Sequence, residues 1–501
     1  MTNYRVYSTF GSAVLTVSMN WFNRLVGIIS IAILARLLLP DDFGVIAMAS
    51  LIVALADTVF NFGVHVPLIQ RQDATQEHYD SAWTLRLLQT SLSTAALFLA
   101  APYAADYFND ERVTIVAQCL SFTLLLAGLE NIGIVDFQKK MQFGAEFRFR
   151  FIRRLVGFTV TVVLAYALRS YWAMVVGMLA EKLAGVVLSY AVHTMRPRFS
   201  FSKFREIFGV SQWMLIFSLG RYLRLKLHQL IVGRWEPTAT VGAYSIANEL
   251  SMMPTTAVLQ PLNRALFPAF SKAQHTTERL KSLFLMAQSV QTLIAVPAAA
   301  GLALVADEIV LVLLGDNWGT AAGFVRILAL INIAQALTTS GTYILLSTGR
   351  QRLNAIVMWS QVAIFAGLVM TPLVEKSAMD VARLLLVATM FGLAVQFYFV
   401  KRSIAGLRFR DIAACSVRPL IASSIMAAAL IYLPFPVNTS AIVLLFGKAT
   451  SGALVFVAAT YGLWRAAGRP DGAEVYLADK IASISRSAVS RFQRHQDAGR
   501  S

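Results

Sequence analysis

The sequence predicts an all-α polytopic membrane protein with about fourteen transmembrane helices, on three observations. A window of roughly twenty residues, the length that spans a bilayer core, divides the 501 residues into about fourteen apolar stretches. Lys and Arg collect in every second gap between those stretches. A composition of 57% hydrophobic and 14% charged residues, with mean hydropathy +0.62, leaves too little polar surface to clothe a soluble globule of this length.

In order, the stretches cover residues 11–35, 44–66, 82–103, 113–135, 155–168, 171–195, 208–233, 241–262, 283–306, 323–347, 353–373, 381–400, 412–433 and 441–464. The first opens with few basic residues, carries Asn20, Asn23 and Arg24 inside it and lacks a small-residue cleavage site, so it reads as a retained span and not a signal peptide. The second and eighth each begin after a proline, Pro40 and Pro237. Cys119 lies in the fourth span and Cys415 in the thirteenth, which excludes a disulfide framework and a thiol metal site. The fifth and sixth divide at Arg169 and Ser170, and the seventh carries Arg221, Arg224, Lys226 and His228 among its apolar residues. Beyond about Ala466 the apolar run ends. Leu477, Ile481, Ile484, Ala488 and Phe492 then recur at helical spacing among Lys480, Arg486, Arg491 and Arg494, the pattern of a basic amphipathic helix on the inner leaflet.

The even-numbered gaps and both termini hold 29 of the 44 basic residues, and the opposite gaps hold only Arg36, Arg112, Arg169, Arg234 and Lys376. Cytoplasmic loops retain positive charge, so both termini are expected in the cytoplasm. The same bias, with attraction to an anionic leaflet, accounts for a net charge of +17 without nucleic acid as a partner; membrane lipids are the expected neighbours.

Catalytic chemistry has little to work with. The longest gap on the outer side covers only residues 307–322, too short for an enzyme domain. No phosphate-cradling Gly-x4-Gly-Lys-Ser/Thr loop occurs, and His65, His78, His193, His228, His275 and His495 lie scattered, outside any ligand spacing. The expectation is a protein that is not an enzyme, with no cofactor, no catalytic residue and no metal.

Offsetting the chain against itself by about 198 residues places Gly11 on Gly209 and Gly44 on Gly242, with Pro40-Asp-Asp-Phe-Gly44 beside Pro237-Thr-Ala-Thr-Val-Gly242. Six spans, an even number, separate the matched helices, so the halves enter the membrane in the same sense and are related about the membrane normal. The segment Ile31-Ala-Ile-Leu-Ala-Arg-Leu-Leu-Leu-Pro-Asp-Asp-Phe-Gly-Val-Ile-Ala-Met-Ala49, followed by Phe60-Asn-Phe-Gly-Val-His-Val-Pro-Leu-Ile-Gln-Arg71, resembles the opening helices of the bacterial polysaccharide transporters, Wzx-like oligosaccharide flippases of the multidrug/oligosaccharidyl-lipid/polysaccharide superfamily. Pro261-Leu-Asn-Arg-Ala-Leu-Phe-Pro-Ala-Phe-Ser271 is similar to the corresponding turn of their second half. The resemblance implies two six-helix bundles, here 1–206 and 207–404, facing each other around a cavity, with two additional helices in 405–465 and a cytoplasmic tail in 466–501. It implies a polyprenyl-diphosphate-linked oligosaccharide as cargo, moved by alternating access for exopolysaccharide, capsule or O-antigen synthesis, with a polysaccharide polymerase and export machinery as partners.

Arg24 lies near the middle of its span, where a guanidinium costs roughly 2.5–3.5 kcal/mol on insertion scales. It therefore faces water or a partner, and Asn20, one helical turn before it, shares its face, with Asn23 adjacent. Arg221, Arg224 and His228 form a second stripe at spacings of three and four, and guanidinium forks suit the oxygens of a diphosphate. Asp57 with Asn61 and Asn248 with Glu249 occupy corresponding helices of the two repeats, as counter-charges to the arginines or as a coupling-cation site. A multidrug exporter of the same architecture is the alternative; a cationic drug calls for acidic central spans, and these lean basic.

Overall fold

Long apolar runs in lipid satisfy their backbone groups only by coiling, and among the described residues every regular element is helical. The computed structural model describes residues 21–468, apart from positions 23, 62, 65–67, 70, 72, 205, 207–211, 372–374 and 434–438. Asn20, Asn23, Gly11, Gly209 and the expected tail helix therefore lie outside the described residues. The long helices are α1 (24–37), α2 (Pro40–Phe60), α3 (Gln76–Phe108), α4 (Arg112–Leu129), α5 (Phe143–Leu168), α6 (Trp172–Val192) and α7 (Gln212–Trp235). They continue with α8 (Thr238–Ala273), α9 (Thr277–Leu304), α10 (Gly319–Ser347), α11 (Gln351–Val369), α12 (Ala378–Ser403), α13 (Phe409–Tyr432) and α14 (Ala441–Ala466). Ten of the described helices are long and apolar enough to cross a membrane, and the protein is a multi-pass membrane protein. α7 is not among them, because Arg221, Arg224 and Lys226 crowd into one stretch of it.

Local chemistry sets the boundaries. Pro40 opens α2 with its missing N–H where none is needed, and the Asp42 carboxylate accepts from Leu39 N at 3.0 Å, capping the helix start. α5 stops at Arg169, whose φ of 46° is left-handed, so the apolar run from 155 to 195 becomes two helices. The connection 307–322 is more structured than a loop: Ala306–Leu313 forms a short helix and Asp316–Trp318 a 3-10 turn. Trp318 is fully buried, donates from Nε1 to Ala35 O at 2.9 Å and packs edge-on against Phe43.

By internal contact the chain forms two compact units, one of residues 1–250, 309–328 and 358–388, the other of 251–308, 329–357 and 389–501. In the first, α3 packs on α4, α4 on α2 and α6, and α5 on α6, while α7 lies against α2 and α3. Within that unit the paired glycines of the repeat also come together. A Cβ on Gly44 would fall on the backbone carbonyl of Thr238, and one on Gly242 would fall on that of Pro40. Only glycine at both positions lets the starts of α2 and α8 approach this closely. In the second unit α9, α13 and α14 pack together. Ile442, Val443, Phe446, Leu454 and Val457 of α14 stay exposed, as lipid-facing side chains do.

Candidate functional site

The structure gathers charged side chains of the first unit into three sets. The first joins α1, α7 and α8. Arg24 is half-buried and Glu249 exposed, and Glu249 exerts its field on both Arg24 and Lys226. Arg221 is exposed and Arg224, one turn on, is half-buried and within its field. Lys226 donates to Gln229 Oε1 at 3.0 Å. Counted together, Arg24, Arg221, Arg224 and Lys226 bring four positive charges and Glu249 one negative. Asn248 is part-buried beside Glu249.

His228 sits differently from its neighbours in the stripe. It is 4% exposed, its Nδ1 lies 2.8 Å from the Tyr244 hydroxyl and its Nε2 lies 3.0 Å from Leu225 O. With both ring nitrogens engaged, His228 fastens α7 to α8 and offers nothing to a ligand in this conformation. Tyr222, which the repeat sets against Arg24, is likewise buried and donates to Leu51 O of α2 at 2.8 Å.

The second set surrounds a cavity of ≈ 350 Å³ inside the first unit. Asp57 and Asn61, at the end of α2, line it together with Arg86 of α3, Glu130 at the end of α4 and Arg150 and Arg153 of α5. Glu130 bridges Arg153 at 3.1 Å and Arg86 at 3.6 Å, and Arg154 pairs with Glu181 at 3.0 Å. Asp57 lies in the field of Arg86. The two expected acid sites therefore lie in the fields of different cations: Glu249 in those of Arg24 and Lys226, Asp57 in that of Arg86. Arg86, Lys226 and Glu130 each interrupt or end an apolar run, the signal that marks them in the sequence; their partners come from distant helices, which spacing does not reveal.

The third set ties together the helix ends that the charge pattern assigns to the outside. Arg112 pairs with Asp41 at 2.5 Å and with Asp110 at 2.7 Å, and Asp110 accepts from Thr238 Oγ1 at 2.8 Å. Burial alone would raise the Asp110 carboxyl, but its bonds from Arg112 and Thr238 outweigh this and hold it below the usual carboxylate range. Arg234 donates to Asn109 Oδ1 at 2.8 Å and to Tyr107 O at 3.0 Å, and Arg36 donates to Val312 O at 2.8 Å. At the opposite ends the connection to α7 runs along α3, where Arg198 N donates to Asp80 and Ser200 N to Thr84, each at 3.0 Å. There Arg71 and Lys203 both bond Glu206, which pushes its carboxyl down to about 2.

Set beside known proteins, the chain is 25% identical over 325 residues to the lipopolysaccharide biosynthesis protein WzxC of Escherichia coli (strain K12), covering 62% of this chain and 64% of that one. It is 24% identical over 334 residues to the succinoglycan biosynthesis transport protein ExoT of Rhizobium meliloti (strain 1021), covering 66% and 67%. The chain thus spans about two thirds of the length of these relatives. Its fold is similar to that of the lipid II flippase MurJ in an inward closed conformation, with a TM-score of 0.73 at 12% identity over 91% of this chain and all of that one. The family profile of polysaccharide biosynthesis proteins matches residues 33–323, more than half of the sequence, and the chain belongs to that family.

Proposed function

We propose that this protein is a flippase that moves a polyprenyl-diphosphate-linked oligosaccharide across the bacterial inner membrane by alternating access, without covalent chemistry. The observation that carries the reading is the cationic excess on α1, α7 and α8, where Arg24 and Lys226 share the field of Glu249 and Arg221 and Arg224 stand on the same helix as Lys226. A diphosphate is the part of such a cargo that must leave water, and guanidinium forks in a low-dielectric site replace its hydration with paired, charge-assisted bonds. The same charges repel a cationic drug, which disfavours the multidrug alternative. Relatives named for lipopolysaccharide and succinoglycan biosynthesis agree with a glycan cargo.

On this reading the bundles 1–206 and 207–404 face each other, 405–465 adds two helices beside them, and both termini lie in the cytoplasm. Asn20 joins the face of Arg24 with Asn23 adjacent in sequence, Asn248 supports Glu249, and the polymerase and export machinery receive the cargo on the far side. Arg24→Ala is expected to abolish surface glycan at an unchanged level of protein in the membrane, measured by glycan staining and immunoblot of membrane fractions. Arg24→Lys restores only part of it, because an ammonium does not bind two oxygens as a fork does. Full export by Arg24→Ala would remove the anion clamp and with it this function.

A further inference from the structure

The cavity lined by α2, α3, α4 and α5 has a chemistry unlike that of the Arg24 set. Its charged lining is balanced: Arg86, Arg150 and Arg153 stand against Asp57, Glu130 and Glu146. Such a lining holds neither a net anion nor a net cation, since each charge already has an opposite neighbour: Glu130 between Arg86 and Arg153, and Glu146 on Arg150 at 2.7 Å. Two donors are nevertheless left over. The Gln89 amide nitrogen is buried without a hydrogen-bond partner, on a residue only 8% exposed, and Arg153 Nε is buried and makes no hydrogen bond, with Glu181 Oε1 at 3.8 Å as an ion-pair partner only. A buried donor without an acceptor is costly, on the order of 1–3 kcal/mol, and it marks where an acceptor belongs.

A ligand that satisfies these donors without upsetting the charge balance is neutral, rich in oxygen, and able both to donate and to accept. Polyhydroxyl compounds have this character: vicinal hydroxyls donate to carboxylates such as Asp57 and accept from amide and guanidinium N–H groups. Phe60 and Phe149 add apolar surface to the same lining, which suits the C–H faces of a pyranose ring. The volume falls within the range of small-ligand pockets, about 300–1,000 Å³. The geometry points to a binding subsite for a neutral sugar residue, formed by Asp57, Arg86, Gln89, Glu130 and Arg153. The inference rests on the flippase reading and deepens it: the diphosphate belongs to the Arg24 set, and a sugar of the same cargo belongs here.

The full chain in lipid nanodiscs provides the test, by saturation-transfer NMR with three probe classes: neutral sugars (glucose, galactose and N-acetylglucosamine), glucuronate, and inorganic pyrophosphate. At least one neutral sugar is expected to bind the wild type and to weaken by about tenfold in Gln89→Leu, a variant that breaks no ion pair. Glu130→Gln, which gives the lining one net positive charge, is expected to lose neutral sugar and gain glucuronate. Arg24→Ala should leave sugar binding as it is while weakening pyrophosphate, so loss of the flippase reading shows in the pyrophosphate arm alone. Three results overturn the subsite: no neutral sugar binds, sugar binding is unchanged in both Gln89→Leu and Glu130→Gln, or glucuronate alone depends on Gln89. The last identifies an anion site, and the other two leave a structural ion-pair network.

Discussion

Glu249 and His228 show how differently two polar residues in apolar helices are used. Glu249 lies in the fields of Arg24 and Lys226, so it lowers the positive potential that a diphosphate meets. Neutralising it takes away a charge worth roughly 1–2 kcal/mol at separations near 10 Å and an effective dielectric of 20. Glu249→Gln is therefore expected to bind pyrophosphate about tenfold more tightly in nanodiscs, by calorimetric titration, and to export less glycan because release is slower. His228 is held by Tyr244 and by the Leu225 carbonyl, away from any ligand. Tyr244→Phe strands a buried ring nitrogen and is expected to cost about 1–3 kcal/mol of stability, read as a lower melting temperature, with pyrophosphate affinity unchanged. An i, i+3, i+7 pattern alone assigns Arg221, Arg224 and His228 to one stripe. It cannot tell which of the three a neighbouring helix has already engaged, because the hydroxyl that takes up His228 comes from sixteen residues further along the chain.

Among the helices, the reciprocal contact of Gly44 with Thr238 and of Gly242 with Pro40 holds the starts of α2 and α8 together, and the Asp41–Arg112–Asp110–Thr238 chain links the same two helix starts. If the cargo leaves on that side, this contact separates in each cycle. Gly44→Val places a branched side chain on the Thr238 backbone, so the contact cannot re-form. In a background with Cys119 and Cys415 replaced, a reporter at half-buried Ser218→Cys, on α7 one turn before Arg221, should then react several-fold faster with a membrane-impermeant maleimide added to whole cells, while export falls. Unchanged labelling would show that the contact does not gate access. The Asp110 carboxyl is held low, so its contribution is complete above the unfolded-state value near 3.9 and is lost as pH falls through the lower, folded value. Labelling, expressed at each pH relative to the same reporter in denatured protein so that the falling thiolate fraction cancels, should accordingly be flat from about pH 8 to 5 and rise only below about 4, and Asp110→Asn should raise it at neutral pH. The glycines themselves stand out in the sequence because the 198-residue offset aligns them after a proline. Arg112 does not: it reads there as one of the few cations on the wrong side of the charge bias, and its role depends on Asp41, which lies 71 positions away.

For the molecule as a whole, hydropathy and charge asymmetry made the membrane-spanning, all-helical architecture legible, since backbone in lipid has no alternative to the helix and basic loops resist translocation. The cavity of the first unit was not legible, because Asp57, Arg86, Glu130 and Arg153 meet from four helices: Asp57 stands out as an acid within its span, but Arg86, Glu130 and Arg153 each look like a charge near a span end. The energetics of transport also belong to this scale. A diphosphate cargo carries about two negative charges, and each gains roughly 2.3 kcal/mol per 100 mV on moving outward across an inside-negative membrane. Rigid bundles that rock about a fixed site keep their own arginines near the midplane, so the charge that crosses the field is mainly that of the cargo. In oriented proteoliposomes with a fluorescent lipid-linked glycan, collapsing the potential with valinomycin and matched potassium at constant pH should lower the outer-to-inner ratio at least about tenfold, since two charges at 100 mV correspond to roughly 4.6 kcal/mol. A ratio that ignores the potential would mean that compensating cations travel outward with each cargo, and the search for their path would begin at Glu249, where a carboxylate stands among the arginines.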